Sequence, residues 1–260
     1  MAITQIRSFR ASKGTVDQTI KDALRAGTES AQSALGVEIQ DNHCIQVTSE
    51  VDNIEGTALF SSLRESCGEA TSSYDAELNT SSLGSNGPAA APVMECAANY
   101  FPVSRITPEF QKKVEGEFLE FNRLCKTMAR NDLGLAYGWC VNEQVHEDVE
   151  GGGTRPFLIM RGWQSMEDFE NLTKQDKFRE EAIPILLGWK APFKMVSDFC
   201  RLCLQRELLI AMIVACPAAG MRQSNRDYKN ATSFCLLLRQ DTFYLAMPQQ
   251  HTRPGTAMRL

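Results

Sequence analysis

Residues 93–196 constrain the fold most, because they spell a complete β-α-β-β-α-β order in one pass. The patterning predicts a strand over 93–103, a helix over 107–130, strands over 133–141 and 156–163, a second helical region over 166–187 and a last strand over 192–196. That order is the split β-α-β arrangement of an α+β layer. The first helix carries the strongest local signals. Thr107 suits the N-cap, Pro108 the first helical position and Glu109 the first turn. Phe110, Val114, Phe118, Phe121, Cys125 and Met128 then recur at helical spacing and build one apolar stripe. In the following strand Leu135, Tyr137, Trp139 and Val141 share one face. Gly134, Ala136 and Gly138 occupy the other, leaving it small enough for a helix or a ligand to approach closely.

The amino-terminal half begins in the same way. Residues 2–12 read as a strand, 15–35 as a helix with Gly36 at its C-terminal cap, and 44–51 as a strand. Residues 57–67 fit either a strand or a short helix, and no clean fourth strand follows. Residues 71–91 are rich in Ser, Asn, Gly, Ala and Pro, which is linker chemistry. The expected organisation is a degenerate half at 1–70, a flexible linker at 71–91, a complete half at 92–196 and an atypical C-terminal extension at 197–260. Pro184 should bend or break the second helical region.

A net charge of −5 with no basic run argues against nucleic acid or an anionic membrane as partner. The longest apolar stretch, 208–217, is about half of the roughly twenty residues that a membrane span needs. The first residues lack the apolar core of a signal peptide. The nine cysteines are scattered and odd in number, so reduced, mostly buried thiols and a cytoplasmic location are expected. No two histidines have metal-ligand spacing, and no metal or other cofactor is expected. Cys200-Arg-Leu-Cys203 has redox spacing but lacks the strand that precedes such a pair in thioredoxin-like units. Gly151-Gly152-Gly153 is not a phosphate loop, since no lysine-serine pair follows.

The stretch from Arg161 to Phe169, Arg-Gly-Trp-Gln-Ser-Met-Glu-Asp-Phe, lies at a strand-to-helix junction. It resembles the dimeric α+β barrel superfamily, and within it the fungal proteins related to antibiotic-biosynthesis monooxygenases. Members often show Gly-Trp-x-Ser-x-Glu-x-His at this junction. Gly162, Trp163, Ser165 and Glu167 match, and Phe169 stands in the histidine position. The resemblance covers 93–196 well and 2–52 loosely. It implies two ferredoxin-like halves with antiparallel sheets, packed across a homodimer or within one chain. It also implies a cofactor-independent tailoring enzyme of fungal secondary metabolism, acting as a monooxygenase on a polyketide-like or aromatic, hydrophobic small molecule. A cyclase or pericyclase of Diels–Alder type, which needs no proton relay, is a second reading. A non-catalytic binding or stress-response barrel is a third.

Tyr137, Trp139, Arg161 and Trp163 form the candidate site. The two tryptophans would hold a flat substrate on a concave sheet, Tyr137 and Arg161 are the catalytic candidates among the four, and Arg161 would stabilise a developing enolate or phenolate in a dry site. The alternative is core aromatics beside a surface arginine paired with an acid. His146, in a polar loop beside Glu147 and Asp148, is either a general base at a pocket mouth or a solvated loop side chain. His43 and His251 are weaker candidates. Glu115, Glu117 and Glu120 are expected on the solvated face of the long helix.

Overall fold

In the computed structural model, residues 3–12, 16–26, 33–50, 52–129, 132–150 and 152–202 are described. The first half contains β1 (Ile3–Arg10), α1 (Val16–Ala26), β2 (Ser33–Glu38), β3 (Cys44–Ser49), α2 (Ala58–Cys67) and β4 (Ser72–Leu78). The second contains β5 (Val93–Pro102), α3 (Pro108–Met128), β6 (Asp132–Cys140), β7 (Thr154–Trp163), α4 (Met166–Thr173), α5 (Ile183–Gly188) and β8 (Phe193–Leu202). The fold is α+β, with two ferredoxin-like halves of the same strand order. The strands run β1-β3-β2-β8-β5-β7-β6-β4, and β4 pairs with β1 to close an eight-stranded barrel. Every strand pairing is antiparallel. The seams between the halves are β2–β8 and β4–β6, so the barrel closes within one chain.

Alternation along the strands sorts side chains into an interior and two helix-covered exteriors. Ile6, Tyr74, Ala76, Met94, Cys96, Ala98, Tyr100, Ala136, Leu158 and Met160 form the barrel core, contributed by both halves. Val93, Phe101, Trp139, Phe157, Ile159 and Trp163 face outward and pack beneath α3, α4 and α5. Phe9, Leu35, Ile45 and Val47 do the same beneath α1 and α2.

The helix starts follow their capping chemistry. Thr107 accepts a hydrogen bond from the Phe110 N–H, with Pro108 opening α3. Ser165 accepts from the Asp168 N–H and donates to its carboxylate at 2.6 Å, which starts α4. Pro184 lies in the first turn of α5, directly after a π-helical turn at Phe178–Ala182. A proline ring clashes with the carbonyl four residues earlier, and widening that turn relieves the clash.

Several elements differ from the sequence expectation. Residues 33–38 are a strand, so Leu35 does not extend α1 and Gly36 pairs within the sheet instead of capping a helix. Residues 58–67 are helix α2, capped by Thr57. The fourth strand of the first half exists and falls inside the stretch read as linker: β4 takes residues 72–78. Its polar composition is tolerated because Tyr74, Ala76 and Leu78 alone face the barrel core. The closing strand extends to Leu202, beyond 196 and into the stretch read as an extension. His251 and Cys203, and with it the Cys200–Cys203 pair, lie outside the described residues.

The connection after β4 plugs one end of the barrel. Glu50 gathers it, accepting hydrogen bonds from the Ser82 N–H, the Ser82 hydroxyl and the Ser81 hydroxyl. Leu83 and Ala89 join the barrel core. Gly134 has a φ of +136°, and a β-carbon there would meet the Asn86 and Gly87 backbone. Glycine at this position therefore permits both the backbone turn and the close approach of the plug.

Candidate active site

The predicted residues divide between the two faces of the second-half sheet. Trp139, Arg161 and Trp163 face the helices, not the barrel interior. The concave face that the aromatics were expected to line carries Ala136, Cys140, Leu158 and Met160 instead. The expectation of aromatics on a concave sheet is therefore corrected. The small residues seen on the opposite parity of β6 form the interior wall.

On the helix side, β5 and β7 set Glu95 opposite Arg161 and Val93 opposite Trp163. Arg161 is buried, 3% exposed, and is not a surface arginine. Its Nη2 donates to Asn122 Oδ1 of α3 at 2.7 Å, and its Nη1 pairs with Asp132 Oδ2 at 3.2 Å. The guanidinium carbon lies 5.7 Å from the Trp163 ring centroid. The Trp163 indole N–H donates to Glu95 Oε2 at 3.0 Å. Burial pushes the Glu95 carboxyl above its usual range, while Arg161 and the Trp163 N–H pull it back. Burial likewise pushes the Cys125 thiol, on α3, up to about 12. Phe169, at the position of the family histidine, meets Trp163 edge to face at 5.7 Å. The result is a guanidinium and a carboxyl of raised pKa in a water-poor layer walled by aromatics.

Tyr137 and Trp139 stand further along the same face. Tyr137 packs on Phe118 at 4.8 Å, and Trp139 on Phe157 at 5.1 Å and Phe101 at 5.5 Å. The Trp139 indole N–H donates to Glu115 at 2.9 Å, and the Trp189 N–H to Glu117 at 2.9 Å. Glu115 and Glu117 thus terminate buried indoles, though Glu117 also keeps to the solvated face as expected, its side chain 39% exposed and paired with Lys113. Glu120 does lie on that face, paired with Arg123.

His146 is on the other side of the sheet. Its ring lies 4.5 Å from that of Tyr100, whose side chain belongs to the barrel core. The imidazole is only 12% exposed, so it is not a solvated loop side chain. Its Nδ1 accepts from the Asp148 N–H at 3.2 Å. The loop carrying it is tied to β4, since Asn142 and Gln144 both donate to the Ser73 carbonyl. Arg161 and His146 are therefore not brought together. Among the described residues, no group of three or more His, Cys, Asp or Glu side chains converges to hold a metal ion. Cys44, Cys67, Cys96, Cys125 and Cys140 are free, and all but Cys67 are buried. No described helix is long and apolar enough to cross a membrane.

Glu95, Asn122 and Asp132 were missed by sequence reasoning. Only Glu95 leaves a signal, as a lone acid in the apolar run Val93-Met-Glu-Cys-Ala-Ala98. Asn122 is buried within the α3 stripe, and its polarity gave no reason to single it out.

No family model matches the sequence, and no curated protein matches it. Solved structures do. An anthrone oxidase-like protein superposes with a TM-score of 0.50 at 12% identity, over 78% of this chain and 92% of that one. A ferredoxin-fold protein from Listeria monocytogenes, described as related to antibiotic biosynthesis monooxygenases, gives 0.38 at 12% identity over 77% and 95%. Chlorite dismutase from Candidatus Nitrospira defluvii, solved with imidazole, gives 0.41 at 9% identity over 81% and 94%. At these identities the likeness shows the fold alone, the α+β barrel that the Gly162–Phe169 segment resembles.

Proposed function

We propose that the chain is a cofactor-independent oxygenase that tailors polyketide-like aromatic molecules in fungal secondary metabolism. The observation that carries this reading is Glu95 facing Arg161 across the β5–β7 ladder, in the layer between sheet and helices. Glu95 takes the proton from an activated ring methylene, and its raised pKa suits a base that works near neutrality. Arg161 neutralises the enolate oxygen that develops. A guanidinium has five N–H donors, so those directed at Asp132 and Asn122 leave others for substrate. The carbanion then transfers its electron pair to dioxygen and forms a carbon–oxygen bond. The resulting peroxide takes the proton back from Glu95. Loss of water with the second methylene hydrogen leaves a ketone. The protein supplies orientation, anion stabilisation and exclusion of water.

The test is oxygen uptake with anthrone, a tricyclic ketone with one doubly activated methylene. The unsubstituted chain is expected to consume one dioxygen per anthraquinone formed. Glu95→Gln should lower the rate by about 10²-fold or more, the usual contribution of a positioned base. Arg161→Lys keeps the charge and is preferred to Arg161→Ala. Removing one member of a buried ion pair costs about 3–5 kcal/mol, so the alanine variant is expected to lose stability as well as activity. Uptake unchanged in Glu95→Gln would remove the carboxyl from the mechanism. Turnover of a polyketide-like substrate without oxygen consumption would favour the cyclase.

A further inference from the structure

We infer that the rim of the second-half sheet, where β5 gives way to α3, is a surface site for a small aromatic carboxylate held by Arg105 and Arg155. The other arginines whose side chains are described each pair with a carboxylate. Among the described residues Arg105 and Arg155 do not, although the chain carries a net charge of −5. Glu109, Glu115 and Glu143 lie in adjoining segments and form no ion pair with either arginine. Glu115 is engaged by the Trp139 N–H.

Both arginines flank Phe101. The Arg105 side chain is exposed, and its guanidinium carbon lies 5.0 Å from the Phe110 ring centroid and 5.9 Å from that of Phe101. Stacking holds a guanidinium by its face and leaves its N–H edge free to donate. Arg155 is the cross-strand partner of Phe101. The Val103 N–H donates to the Gly153 carbonyl, which ties the turn bearing Arg105 to the strand bearing Arg155. Arg155 is half-buried, and its Nε is closed to water without an acceptor. A guanidinium drawn partly out of water without a countercharge is costly, and an anion beside it offsets that cost. A carboxylate matches the forked N–H groups of arginine. The apolar body of the ligand follows from the floor beside them. Trp139 stands opposite Phe157, and Val141 and Arg155 each follow two residues on along those strands. Val141 is 47% exposed, and the Phe110 ring beneath Arg105 is half-buried. Arg105 and Val141 both meet solvent, so the ligand lies on an open surface and needs no cavity. Arg155 and Arg161 are six residues apart on β7, about 20 Å, which separates this rim from Glu95 and Arg161.

The test is calorimetric titration of the full chain with naphthoate, with naphthamide, which has the same shape and no charge, and with inorganic phosphate. One naphthoate should bind per chain, at least about tenfold more tightly than either other probe, the usual worth of a charged hydrogen bond. Its affinity should fall as salt is added. Arg105→Gln and Arg155→Gln should each weaken naphthoate binding by a similar factor, and Arg123→Gln, on an exposed pair of α3, should not. Arg105 is exposed, so its variant tests the site even where Arg155→Gln fails to fold. No saturable binding of naphthoate overturns the proposal. So does equal affinity for naphthamide or phosphate, or affinity unchanged in Arg105→Gln. The oxygenase reading is judged by oxygen uptake with anthrone, which carries no charge, and does not depend on these titrations.

Discussion

Each of the three tryptophans ends on a glutamate: Trp139 on Glu115, Trp163 on Glu95 and Trp189 on Glu117. A buried indole N–H without an acceptor costs about 1–3 kcal/mol. Glu115→Ala is therefore expected to lower unfolding free energy by about that amount in urea titrations. Glu120→Ala, on an exposed and solvent-screened pair, should leave it almost unchanged. Equal losses would mean that the indole bonds are not the cause. Glu95 adds a pH dependence. Its folded pKa lies above the unfolded value, so between the two the native state holds more protons than the unfolded chain. Its contribution to stability consequently falls as pH rises through that window. Glu95→Gln keeps an oxygen for the Trp163 N–H and removes the titration. Its melting temperature relative to the parent should rise from acidic to neutral pH. A difference that stays flat with pH would contradict the burial of this carboxyl.

At the scale of elements, the closing seam is the sensitive place. A β-carbon on Gly138 would clash with the Glu77 carbonyl of β4, a backbone atom that cannot rotate away. Gly138→Ala should therefore break β4–β6 pairing and destabilise the protein strongly, whereas Gly116→Ala, in open space on α3, should not. Thermal melts of the two variants side by side check this. The second half was legible because period and capping agree along it: Thr107, Pro108 and the α3 stripe all name the same helix. The first half was less legible for physical reasons. Thr4, Ser8, Gln46 and Thr48 are buried polar residues, which blurs the contrast that periodicity needs. β4 hid in a polar run because it is half exposed, and β2 hid because Leu35 and Gly36 mimic the end of a helix. The site was half legible. Arg161 and Trp163 stand out by type, but their side of the sheet depends on which face the helices cover. Alternation alone does not decide that.

For the whole molecule, closure within one chain means that neither half is complete alone. A fragment of residues 92–202 would bare β6 and β8, together with the apolar face of Met94, Leu158 and Met160. Such edges recruit a partner. The fragment is expected to sediment as a dimer or to aggregate, and a stable monomer would show that the seams matter little. In an assembly of two identical chains, every substitution appears twice and must suit both places at once. Here it appears once, so each side of the ring answers only for its own surroundings. All three tryptophans have collected on one side, and the other side can change without forcing the same change on its neighbour.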